Sequence, residues 1–156
     1  MTVQDQVRTR PWQQVAQAAW IGAALQAVCV ALPLLDLWTF GSIERNVQGA
    51  YPRWDAAEVA TDRNAIVGYL VAVGILGVLC GLGTVWAARR GRGVRATVTT
   101  LFTIGMLTLL TNATLGGEAY DRIVPLWLGL TLLAVPALPG LTALLAAWRG
   151  PAASRG

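Results

Sequence analysis

Four apolar runs, at 12–37, 64–88, 96–115 and 123–148, take up most of this 156-residue chain. Each is about 20 residues or longer, and an α-helix rises about 1.5 Å per residue, so each can cross a hydrocarbon core about 30 Å thick. A soluble helix of that length would present charge on its outer face every few residues. These runs do not, and the mean hydropathy is +0.54. The expected fold is all-α. It is a single integral membrane domain over 1–156, built as a four-transmembrane-helix up-down-up-down bundle.

Connector charge sets the expected orientation. Arg8, Arg10, Arg89, Arg90, Arg92, Arg95, Arg149 and Arg155 fall on one side with a single acid, Asp5. Arg45, Arg53, Arg63 and Arg122 fall on the other with Asp36, Glu44, Asp55, Glu58, Asp62, Glu118 and Asp121. The positive-inside rule puts both termini in the cytoplasm and an external loop at 39–63. The first run is longer than a signal-peptide core and no polar cleavage segment follows it, so it reads as a retained anchor in the plasma membrane. Trp12, Trp86 and Trp148 then sit at the inner interface, and Trp38, Trp54, Tyr69, Tyr120 and Trp127 at the outer one. Trp20, two turns into the first run, reads as lipid-facing or packing.

The chain has no His and no Lys, which removes the usual haem ligand, the commonest metal ligand and general base, and Schiff-base chemistry. No cofactor and no metal site is expected. Cys29 and Cys80 fall about 10 Å apart in depth on antiparallel helices, too far for a disulfide, and read as small packing residues. No ionisable residue lies deep in a span, which disfavours a proton-driven pump. Among the external acids, Asp36, Asp62 and Asp121 sit nearest the helix ends, although a solvated face is the plainer reading.

Local signals refine the layout. Pro11 suits a first helical turn, so the first helix is expected to start there. Gly41, Gly49 and Pro52 break the first half of the external loop. In its second half Asp55 reads as an N-cap with Glu58 at N3, Trp54 at N′ and Val59 at N4, a capping box with a hydrophobic staple. A helix should begin there and run into the second span or break near 61–64. Gly91 and Gly93 make one tight turn, and Gly116-Gly117 is expected to make another. Neighbours in sequence should then be neighbours in space.

Three features could carry function. Gly77 and Gly81 form a GxxxG, which lets another helix approach closely, either in the same chain or in a second copy. Thr97, Thr100, Thr103, Thr108, Thr111 and Thr114 fall within an arc of about 140°; they could line a polar path or bond their own helix. Pro136 and Pro139 leave the carbonyls of Leu132 and Val135 without donors and should kink the last span. Gln26 lies near the middle of the first span, and an amide in hydrocarbon needs a partner. Gln26, Thr103, Leu132, Val135, Pro136 and Pro139 together suggest a polar layer at mid-membrane. It is either structural glue or a ligand site of the kind broken helices build in transporters.

The layout differs from claudins, which carry two cysteines in the first external loop, and from tetraspanins, whose large loop lies between the last two spans. In overall layout, and in the stretch from Tyr69 through Trp86-Ala87-Ala88-Arg89-Arg90, the chain resembles the small uncharacterised four-helix integral membrane proteins of high-GC actinobacteria. That resemblance implies the bundle and no particular activity. The leading functional expectation is a non-catalytic accessory or interaction subunit, whose partners are the lipid bilayer and either another membrane protein or a second copy. Nothing points to nucleic acid. The alternative is a small-molecule or lipid carrier using the mid-membrane layer.

Overall fold

The computed structural model describes residues 3–114, 116 and 119–149, without the side chains of residues 3–11 and 113. Among the described residues the chain forms five helices and no strand: α1 Val3–Trp38, α2 Ser42–Ala50, α3 Ala56–Arg90, α4 Val94–Thr114 and α5 Leu126–Arg149. Four of them are long and apolar enough to cross a membrane, at Trp12–Trp38, Ala56–Arg90, Val94–Asn112 and Leu126–Arg149.

The helix ends follow local chemistry, with corrections. Asp55 accepts from the N–H groups of Ala57 and Glu58, and Glu58 accepts from the Asp55 N–H, so the expected capping box is formed. From that cap α3 runs unbroken for 35 residues. Trp54 stacks on Tyr51, with ring centroids 3.8 Å apart. Helix α1 starts at Val3 rather than at Pro11. Residues 3–10 contain no glycine or proline, and nothing in them stops the helix.

Residues 42–50, expected as irregular loop, form α2. Gly41 takes a left-handed conformation (φ 57) to admit the turn, and Ile43 and Val47, one turn apart, are both buried. The connector between α4 and α5 spans 115–125 and is longer than the tight turn expected at Gly116-Gly117. It is not idle chain: Asn46 of α2 donates to the carbonyls of Arg122 and Ile123 at 3.0 and 3.1 Å.

Close approaches show how the long helices run. Gly74, Gly77 and Gly81 of α3 meet Val30, Gln26 and Ala23 of α1 in turn, and Gly22 of α1 meets Pro139 of α5. On α5, the Ala147 carbonyl accepts from Arg95 of α4 at 3.1 Å, while Gly140 meets Phe102. Each of these pairings is antiparallel, so direction alternates along the chain. Adjacency does not follow sequence throughout: α1 packs broadly on α3 and α5, and α4 packs on α5 but only lightly on α3. The Gly91–Gly93 turn joins α3 to α4, with φ of 67 and 65 at its two glycines. Yet among the described side chains α4 buries only Val94 and Val98, both beside that turn.

Two apolar clusters close the bundle at opposite ends. At the α2 end, Ile43, Val47, Val59, Ile66, Val67, Leu70 and Leu128 pack together under Tyr120, Ile123 and Val124. At the turn end, Val15, Ala88, Val94, Val98, Ala143 and Ala147 do the same. Trp20, Trp38, Trp86, Trp127 and Trp148 are all exposed at the bundle perimeter.

Candidate functional site: a cavity lined by the four long helices

Between the two clusters lies a cavity of about 390 Å³, lined by α1, α3, α4 and α5. That size falls within the range of about 300–1,000 Å³ typical of small-molecule sites. Its walls are built from small and apolar residues: Gly22 and Ala23 of α1, Gly77 and Gly81 of α3, Leu101, Phe102 and Gly105 of α4, and Pro136, Pro139 and Gly140 of α5. Among the lining residues none is Asp, Glu, Arg, Lys or His.

Gln26 is the exception in polarity. It is 7% exposed and makes no hydrogen bond to any described residue. Every fully enclosed side-chain nitrogen or oxygen among the described residues has a partner. The Gln26 amide, which has none, therefore faces the open space of the cavity. It is held there by a close approach: a Cβ at Gly77 would lie 2.9 Å from both Cδ and Nε2 of Gln26. Any side chain at position 77 would displace the amide.

The two threonine hydroxyls on the wall have given their protons to their own helices. The Thr84 hydroxyl donates to the Cys80 carbonyl at 3.0 Å, and Thr108 donates to the Ile104 carbonyl at 2.9 Å. Both are bonds to the preceding turn of the same helix. Cys80 lines the cavity as a free thiol, and Cys29, also free, is buried.

Of the residues that the sequence groups into a mid-membrane layer, the structure brings some together and not others. Gln26, Pro136 and Pro139 line one cavity, together with Gly77 and Gly81. Thr103 does not join them: it is exposed on the outer face of α4, with Thr100, Thr111 and Thr114. Of the threonine stripe only Thr108 reaches the cavity. Leu132 packs against the cluster at the α2 end, and Val135 is not on the lining. Despite its two prolines, α5 continues as a single helix, with Thr142 donating to the Pro139 carbonyl at 2.8 Å. Gly77 and Gly81 face α1, the in-chain use of the GxxxG.

Sequence reasoning misses the contact that ties α4 to α3 away from the turn. The Tyr69 hydroxyl donates to Asn112 Oδ1 at 2.6 Å, and Asn112 in turn donates to the Thr108 carbonyl at 2.8 Å. Nothing in either residue's local sequence signals the pairing, which depends on the register between two helices. The glycine stripe is more legible, since Gly74 extends the GxxxG by one turn.

Carboxylates at the α2 end serve structure. Asp36 is 1% exposed and accepts from the N–H groups of Ser42 and Ile43 at 3.1 and 2.9 Å, and from the Ser42 hydroxyl. It caps α2 from six residues upstream, where Gly41 has no side chain to do so. Asp62 accepts from the Tyr120 hydroxyl. Burial first, and then that bond and the Asp62 charge, hold the Tyr120 phenol well above the usual tyrosine range. Glu44 pairs with Arg63 at 2.6 Å. Asp121 is exposed beside a second, shallow cleft of about 330 Å³ that Arg45 and Arg122 also line. No family model, curated protein or solved structure matches the chain.

Proposed function

We propose that this chain is a non-catalytic, multi-pass protein of the cell membrane, with both termini in the cytoplasm, that holds a small molecule inside the bilayer. The observation that carries the reading is Gln26: a residue more than nine-tenths buried whose side-chain amide has no partner among the described residues and lines a cavity of ligand size. Leaving a buried polar group unsatisfied costs about 1–3 kcal/mol. A purely structural amide would be bonded to its neighbours, and a bound molecule that pairs with it recovers that cost. The eight-to-four division of Arg between the two sides supports the orientation.

An accessory subunit would need a surface chosen for its partner. The exposed faces of α3 and α4 carry Leu79, Leu107 and Leu110 with the exposed hydroxyls of Thr100, Thr103 and Thr111, and no charged side chain lies among them, as on lipid-facing helices. The cavity is the more specific feature, and it favours the carrier or binding reading.

Gly105 supplies the test, because it lines the cavity and a Cβ there would meet nothing within 4 Å. A phenylalanine at this position has room for its Cβ, and its ring takes up space at the cavity wall. Native mass spectrometry of protein extracted from membranes should show a small molecule retained by the wild type and lost in Gly105→Phe. Equal retention by both, or none by either, would overturn the reading.

A further inference from the structure

We propose that the cavity takes an uncharged, largely apolar molecule carrying one hydrogen-bonding head, a hydroxyl or a carbonyl, and that this molecule arrives sideways from the lipid between α3 and α4. The inference rests on the reading of the cavity as a binding site, and adds the chemistry and the route.

The head group follows from what the wall offers. With no Asp, Glu, Arg, Lys or His on the lining, an ion would be desolvated without a counter-charge, at a penalty of several kcal/mol. Zwitterionic and ionised ligands are excluded on that ground. Thr84 and Thr108 have given their hydroxyl protons to their own helix. The Gln26 amide alone has both its donors and its acceptor uncommitted among the described residues, so it can pair with a hydroxyl in either sense or donate to a carbonyl. The rest of the ligand meets glycine, alanine, leucine, phenylalanine and proline, which reward burial of hydrocarbon.

The route follows from what is closed. Among the described residues apolar clusters close the bundle at both ends, which disfavours an aqueous path along the axis. Along the sides, α1 is pressed to α3 through Gly74, Gly77 and Gly81, and to α5 through Gly22. The α4–α5 seam is shut by Phe102 against Gly140, where a Cβ would come within 2.8 Å of the ring. The α3–α4 seam is the lightly packed one. It is tied at one end by the 91–93 turn and at the other by the Tyr69–Asn112 bond. Between the ties, the cavity faces hydrocarbon.

The test uses three diazirine photoprobes of equal chain length in vesicles holding the full chain: a primary alcohol, the matching carboxylate and the matching hydrocarbon. Labelling of cavity peptides is normalised to that of exposed Leu138. In the wild type the alcohol should label the cavity most and the carboxylate least. Loss of one neutral hydrogen bond corresponds to about fivefold in affinity. Gln26→Leu and the length-matched Gln26→Met should therefore each cut alcohol labelling about fivefold and leave hydrocarbon labelling unchanged. Carboxylate labelling equal to that of the alcohol, or alcohol labelling unchanged in both variants, would overturn the proposed chemistry while the cavity remained a binding site. Labelling by none of the three probes would overturn the binding reading as well.

Discussion

Gln26 of α1 lies against Gly77 of α3 so closely that a Cβ on the glycine would come within 2.9 Å of the amide. The pairing joins a packing motif to a polar group: the glycine that lets the helices approach also decides where the amide points. Gly77→Ala therefore acts on function more than on fold. The flexible end of Gln26 can swing away from a new methyl, so the stability cost should be about 1 kcal/mol or less, while alcohol labelling of the cavity falls toward the Gln26→Leu level. Parallel thermal unfolding and photolabelling check this.

One turn further along, Gly81 behaves differently. A Cβ there would lie 3.0 Å from the Ala23 Cβ and 3.4 Å from its Cα, which cannot rotate away. Gly81→Ala should push α1 from α3 and destabilise the bundle by about 1–3 kcal/mol. Gly68, where an added Cβ would meet nothing within 4 Å, is the control: Gly68→Ala should be neutral or slightly stabilising, because alanine favours the helix. Chemical unfolding in mixed micelles measures both.

Tyr69 and Asn112 close the α2 end of the α3–α4 seam. Tyr69→Phe keeps the ring and removes the bond. Net stability should change by only about 1 kcal/mol, but the cavity should label faster with the alcohol probe. An unchanged labelling rate would show that the bond does not restrict access.

Asp36 and Tyr120 hold the cap over the α2 end. Asp36→Ala leaves the Ser42 and Ile43 N–H groups without their acceptor and should cost about 1–3 kcal/mol, loosening α2 in hydrogen exchange. For Tyr120 the sign follows from its raised pKa. The folded state favours the neutral phenol, so its contribution is complete below the unfolded tyrosine value of about 10 and is lost as pH rises above it. The wild-type thermal midpoint should fall above about pH 10, and Tyr120→Phe should remove that part of the fall.

Much of this architecture is legible in residues read one segment at a time. The four long apolar helices follow from run length, and the start of α3 from Asp55 and Glu58, because a capping box is local. Helix α2 is hidden by Gly41 and Gly49, which read as breakers. Its true signals are the Ile43–Val47 spacing and a cap, Asp36, lying outside the helix it serves. Sequence position puts Gln26 and Thr103 at similar depth. Whether they meet depends on azimuth, which is set by packing. Thr103 faces outward on α4, and the neighbour that Gln26 presses against is a glycine on a different helix. Chain direction follows from the sequence throughout, whereas adjacency does not, because the short 91–93 turn joins α3 to α4 without pressing them together.

The central claim is that the Gln26 amide meets a bound molecule rather than protein or water, and its own protons report this most directly. In deuterated chain carrying ¹⁵N-glutamine in lipid nanodiscs, with Gln26→Leu used to assign the signal, the side-chain NH₂ should show nuclear Overhauser contacts to aliphatic protons of a non-protein molecule. Contacts to water alone, or a signal indistinguishable from the solvent-exposed glutamines, would contradict the account.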